Sequence, residues 1–81
     1  RRKGRPYRPV HFLEVGCGIG RNLFVVKHGD VLQLASLLGI DIAPGYIAQA
    51  RRFFFLEDQE TQITDAMTFD YSRFDVVYYY R

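Results

Sequence analysis

A short apolar run ends abruptly in three glycines at alternate positions: Val10, Phe12, Leu13 and Val15 lead into Gly16, Gly18 and Gly20. The apolar residues favour an extended, buried strand, and the glycines permit backbone angles and a close ligand approach that a side chain would block. A helical pattern over 23–28 follows, so the unit is a strand, a glycine turn and a helix. Turns that open a helix commonly present backbone N–H groups to a ligand, and the helix dipole favours negative charge there.

The remaining sequence repeats this alternation. Ile19, Leu23 and Val26 share one helix face, and His28, Gly29 and Asp30 end it. Residues 31–38 suit a helical turn or the start of a strand; a second strand is predicted over 36–40, with Asp41 at its carboxyl end. Pro44 belongs in the first turn of a helix, where its missing N–H breaks no bond. The spacing predicts that helix over 44–55, with Ile47, Ala50 and Phe54 on one face. Residues 56–60 carry three acids and read as a solvated connector, after which a third strand over 62–64 delivers Asp65 to its end. A fourth strand, 75–80, runs from Asp75 through Val76 and Val77 into Tyr78, Tyr79 and Tyr80. Strands alternating with helices imply an α/β fold: a parallel sheet with helices on both faces and ligands beyond the carboxyl ends of its strands. The glycine turn, Asp41 and Asp65 then meet at one sheet edge.

Composition narrows the partners. A chain of 81 residues holds at most one domain, here 10–81, and its net charge of +2 is too small to imply a polyanionic partner for the whole. Yet Arg1, Arg2, Lys3, Arg5 and Arg8 put five of the eleven basic residues in a lead-in over 1–9 that Gly4, Pro6 and Pro9 keep irregular. This lead-in is either a solvated linker or an arm for nucleic-acid phosphates, with Tyr7 able to stack on a base. One cysteine, Cys17, excludes an internal disulfide and favours a reducing, cytoplasmic setting. No apolar stretch is long enough to span a membrane, and the basic start lacks the apolar segment of a secretory signal.

The acids refine the ligand. A dinucleotide fingerprint, Gly-x-Gly-x-x-Gly, would need its third glycine at Arg21. Glu14, two residues before Gly16, is an awkward neighbour for a pyrophosphate and a better one for a ligand with a cationic end. Asp41 at the end of the second strand suits a ribose diol. These residues resemble class I, Rossmann-like S-adenosylmethionine-dependent methyltransferases: Glu14-Val15-Gly16-Cys17-Gly18-Ile19-Gly20; Gly39-Ile40-Asp41-Ile42-Ala43-Pro44 with Ala50-Arg51 beyond it; Asp65-Ala66-Met67; and Phe74-Asp75-Val76-Val77. The four elements stand in the family's order and cover almost everything from His11 onward.

The resemblance implies S-adenosyl-L-methionine as cofactor and methyl transfer to an acceptor by in-line attack on the sulfonium methyl, with S-adenosylhomocysteine as product. It implies that Gly16, Cys17, Gly18 and Gly20 pack against the methionine part and ribose, and that Glu14 supports the amino end, directly or through water. Asp41 would bind the ribose hydroxyls and Ile42 the adenine face; Asp65 would accept from the adenine amino group, with Ala66 and Met67 completing that pocket. The family sheet has seven strands and this sequence has material for four. It therefore reads as a cofactor-binding half cut after the fourth strand, with self-association through strand 75–80 as the alternative. No general base or methyl acceptor is identified. A nicotinamide-dependent, NAD(P)-binding oxidoreductase and a non-catalytic RNA-binding module are the competing functions.

Simpler roles stand beside these. Asp41 can cap the following helix and Asp65 can stabilise a turn. No histidine is placed to activate Cys17, and the isolated His11 and His28 make no metal site. Phe53 to Phe55 and the three tyrosines suit packing, with Tyr79 or Tyr80 able to approach a substrate.

Overall fold

The computed structural model describes residues 8–29 and 33–79. Most of the basic lead-in and the last tyrosine, Tyr80, lie outside the described residues; of the basic positions there, only exposed Arg8 is described. The elements are β1 (Val10–Val15), α1 (Arg21–His28), β2 (Leu34–Asp41), α2 (Pro44–Phe53), a 3-10 turn (Asp58–Glu60), β3 (Thr61–Ile63) and β4 (Val76–Tyr79). The strands form one all-parallel sheet in the order β3-β2-β1-β4.

β1 is apolar along most of its length because it is paired on both edges, with Val15 opposite Ile40 of β2 and Tyr79 of β4. Side-chain alternation divides the core. Phe12 and Leu37 pack with Leu23 of α1 and with Ile47 and Ala50 of α2. Leu13, Val15, Leu38 and Ile40 meet Phe69, Tyr71 and Phe74 from the β3–β4 connection. Both described helices therefore cover one face. The other face, expected to carry helices too, is covered by an irregular aromatic segment. Right-handed crossovers β1 to β2 and β2 to β3 travel in one direction and leave both helices on the same side; the return from β3 to β4 crosses the opposite side.

Element boundaries move by a few residues from those expected. α1 starts at Arg21, with Ile19 left in the turn; β2 is longer at both ends; β3 begins at Thr61, and β4 lies within the span predicted for it. The larger change is in the connector. Leu56 is buried against Ala50 and Leu23, and the acids after it are structured. Glu57 and Glu60 form a reciprocal capping box, and Glu60 Oε1 also takes Lys27 Nζ of α1 at 2.8 Å. Burial raises the Glu60 pKa, and the Glu57 amide together with Lys27 outweighs it, leaving the carboxyl below its usual range.

Of the three consecutive phenylalanines, only Phe54 packs, edge-tilted on Phe24 with ring centroids 5.6 Å apart. Phe53 and Phe55 are exposed, against the expectation of packing. Phe55 occupies the left-handed region at φ 57°, the position after a helix end that glycine usually takes. Its side chain is 75% exposed, so little packing offsets that conformation. Phe55→Gly is expected to raise stability by about 0.5–1 kcal/mol in urea denaturation, the left-handed penalty less the extra chain entropy of glycine. A lower midpoint would show that the ring contributes more than its exposure indicates.

Candidate cofactor site

β1 is where the strand order reverses, since β2 and β4 flank it and are reached in opposite directions. Crevices at such switch points, beyond the carboxyl ends of the strands, are where open α/β sheets bind ligands. The turn 16–20 emerges there, beside Asp41 and Ile42 from β2 and Thr64, Asp65 and Ala66 from β3.

The turn is built largely by its own amides. Gly16 N and Cys17 N both donate to Ile40 O, at 2.9 and 3.0 Å; Gly18 N donates to Asp41 Oδ2 at 2.9 Å; Gly20 N donates to Cys17 O at 3.0 Å. Four of the five amides are thus spent inside the protein. This departs from the expectation that the turn offers its N–H groups to a ligand, and it disfavours a pyrophosphate, which needs several of them.

Gly16 and Gly18 have φ of 72° and 58°, and a Cβ at either would enter open space. Such a side chain would block the approach to the turn without striking protein. Gly20 differs: a Cβ there would lie 2.6 Å from Leu56 Cδ1 and 3.0 Å from Ala50 Cβ, so its small size serves the packing of the α2 end.

Two clefts flank the turn. The first, about 330 Å³, is bounded by Glu14, Cys17, Gly18, Arg21, Asn22 and Tyr46, with Ile19. The second, about 220 Å³, is bounded by Gly16, Asp41, Ile42, Thr64, Asp65 and Ala66, with Val15 and Ile40. Glycines that admit close approach thus face both spaces.

Glu14 lies beneath the first cleft and is 1% exposed. Its Oε2 accepts from Asn22 Nδ2 at 3.1 Å, while Oε1 is buried with no hydrogen-bond partner among the described residues. Burial pushes the carboxyl up to about 7, and the Asn22 bond partly counters the rise. A buried carboxylate with an unfilled acceptor is costly unless something supplies a donor. An ammonium or sulfonium-bearing ligand is chemically suited to it, and a phosphate is not.

Asp41 lines the second cleft and is bonded to Gly18, which lines the first. Oδ2 accepts from Gly18 N and Oδ1 from Ala43 N, both at 2.9 Å, tying the glycine turn to the entry of α2. The bond to Ala43 is the local turn-forming one that a simple structural role would give. The bond to Gly18 reaches across 23 residues and aims the carboxylate at the turn. Each oxygen retains a second lone pair for a diol. Asp65 is exposed and accepts from Met67 N at 2.9 Å, the Asx-type turn its simpler role implies. Ala66 lines the second cleft, with its carbonyl held by Tyr71 Oη at 2.7 Å. Ile42 is exposed at the same place, whereas Met67 is 89% exposed and lines neither cleft.

Cys17 is buried and its thiol is pushed up to about 12, by burial first and then by the Asp41 and Glu14 carboxylates. It stays protonated at neutral pH and serves the turn as a small side chain. His11 Nδ1 meets Ser36 Oγ at 2.7 Å near the opposite ends of the strands. Among the described residues no group of three or more His, Cys, Asp or Glu is placed to hold a metal ion, and no helix is long and apolar enough to cross a membrane.

Asn22, Arg21 and Tyr46 were not marked by the sequence. Asn22 reaches Glu14 only because α1 folds back over the end of β1, a contact that neither helical period nor strand alternation encodes.

Residues 13–81 match the family model described as a methyltransferase domain. No curated protein and no solved structure matches the chain. The match takes in the glycine turn, both clefts and all four strands, in whole or in part, so the chain belongs to the methyltransferase domain family, of the class I, Rossmann-like type.

Proposed function

We propose that this chain binds S-adenosylmethionine across the two clefts and serves methyl transfer to an acceptor. The observation that carries this is the buried Glu14 carboxyl, with one oxygen unpartnered among the described residues, beside a turn whose amides are mostly spent and whose Gly16 and Gly18 are open to a ligand. Glu14 and the first cleft would hold the amino-acid end, directly or through a bridging water. Asp41 would accept the ribose hydroxyls on its remaining lone pairs. Ile42 would lie against the adenine, with Asp65 and the Ala66 backbone at its edge and Met67 closing over it from the surface. When bound, the cofactor supplies an activated methyl group to a nucleophile, so the protein's contribution lies in holding the reactants in line. The carboxyls at Glu14 and Asp41 fix the cofactor on both sides of the turn, and the Gly18 amide holds Asp41 in place for that task.

Calorimetric titration of the intact protein with S-adenosylhomocysteine tests this reading. Saturable binding is expected, with Gly18→Ala weakening it at least tenfold because the new methyl enters the ligand's space. Gly45→Ala on α2, which also meets nothing within 4 Å but lines neither cleft, should bind as the parent does. Absence of binding by the folded parent protein would refute the proposal.

A further inference from the structure

Glu14 has two oxygens with different surroundings, and the difference is imposed by α1. Asn22 Nδ2 donates to Oε2 at 3.1 Å, and Oε1, although buried, has no partner among the described residues. Asn22 sits in the first turn of α1, directly after Arg21, and both border the first cleft. An amide bonded to one oxygen of a buried carboxyl orients that carboxyl and selects which oxygen remains available.

We propose that Asn22 is a positioning residue: it holds Oε2 of Glu14 so that Oε1 alone receives the cationic amino end of the ligand, and occupation of that place releases a proton from Glu14. The proposal rests on the cofactor assignment above and adds to it a residue and a proton linkage.

The chemistry follows from burial. A buried carboxyl favours its protonated form, and here burial pushes it up to about 7. An ammonium brought to Oε1 favours the charged form, so the O–H bond breaks, the proton leaves to solvent, and the carboxylate pairs with the cation. Binding must then weaken as pH falls below about 7, approaching tenfold per pH unit, because the proton competes with the ligand. The Asn22 bond lowers the Glu14 pKa, so removing it moves the onset of weakening to higher pH.

Other ionisable groups near Glu14 come from each surrounding element: Cys17 and Asp41 at the turn, Arg21 on α1, Tyr46 on α2 and Tyr78 opposite it on β4. Cys17 is pushed up to about 12 and does not titrate in this range. The histidines lie apart, His28 against Phe24 at the last turn of α1 and His11 against Ser36.

The test is calorimetry of the intact protein from pH 5.5 to 8.5, in buffers of different ionisation enthalpy so that released protons are counted. Two probes are used. S-adenosylhomocysteine carries the amino-acid end, and 5′-deoxy-5′-methylthioadenosine lacks it while keeping the ribose and adenine. Parent protein should bind the first with proton release and a loss of affinity below pH 7, and the second with neither. Asn22→Ala should weaken S-adenosylhomocysteine about tenfold at pH 7 and shift its pH profile upward, with the second probe unchanged. Glu14→Gln, whose amide oxygen can still accept from Asn22, should abolish both proton release and pH dependence; this variant keeps the test valid if far-UV circular dichroism shows Asn22→Ala unfolded. Binding of both probes with no proton release, or an unshifted pH profile in folded Asn22→Ala, would overturn the inference and leave the cofactor assignment standing. Binding of neither probe by the parent would overturn both.

Discussion

Gly39→Val is expected to lower stability by about 3 kcal/mol or more, a large share of what a domain of this size holds. Gly39 lies in β2, between Glu14 of β1 and Thr61 of β3, and its face of the sheet receives α1 and the turn. A Cβ at this position would fall 2.2 Å from Leu23 Cδ1, 2.8 Å from Cys17 Cβ and 2.9 Å from Cys17 Sγ. Leu23 is completely buried and Cys17 is fixed by the bond from its amide to Ile40, so neither can withdraw cheaply. The strand cannot move away either, because it is paired on both edges. Overpacking of this kind typically costs about 1–3 kcal/mol and occasionally more. A domain of this size holds only about 4–12 kcal/mol in all. Urea denaturation followed by circular dichroism checks it: a markedly lower midpoint is expected, and a midpoint equal to the parent's would show that the α1–β2 packing described above is wrong. Gly39→Ala should show the same direction with a smaller loss.

Asp41→Ala should remove cofactor affinity and part of the fold together. The carboxylate accepts from Gly18 N and Ala43 N, and truncation leaves both amides without that acceptor. Bonds to charged groups are worth about 1.5–3 kcal/mol each, and partial exposure of Asp41 lets water replace some of that, so a loss of about 2–3 kcal/mol is expected. Since the same carboxylate would take the ribose hydroxyls, S-adenosylhomocysteine binding should fall at least a hundredfold, to which loosening of the Gly18 turn contributes. Asp41→Asn separates the two roles. It keeps one oxygen for an amide and loses the charge, so it should recover part of the stability and little of the affinity. Denaturation and calorimetry on the same preparations check both; full stability with lost affinity in Asp41→Ala would mean that the Gly18 bond contributes nothing to the turn.

Much of this site was legible in the sequence because its determinants are local. The run from Val10 to Val15 followed by alternate glycines can hardly be other than a buried strand and a tight turn. Asp41 follows directly on Gly39 and Ile40, so the end of β2 carries it to the sheet edge whatever the exact strand start. What was hidden depends on contacts between distant segments. The 57–60 acids read as solvated, yet Leu56 ahead of them is drawn into the core by Ala50, and Lys27 on α1 supplies a cation for Glu60. Phe55, just beyond the end of α2, holds a conformation normally left to glycine, so no helix-stop signal marks that end. Both helices fall on one face because the strand order runs outward from β1 to β3 before returning to β4, and alternation of elements along the sequence does not state that order. Likewise Glu14 was recognisable as an acid near the ligand, but its burial, its raised pKa and its bond to Asn22 arise only when α1 closes over β1.

The central claim is that the cofactor lies along the β1 turn between the two clefts, and backbone ¹H–¹⁵N shift mapping of the intact protein during titration with S-adenosylhomocysteine tests it most directly. Saturable shifts centred on the amides of Gly16, Gly18, Asn22, Ile42 and Ala66, with Lys27 and Glu60 at the far side little changed, are the expected result. Saturable shifts centred elsewhere, or none at ligand concentrations up to a millimolar, would contradict it.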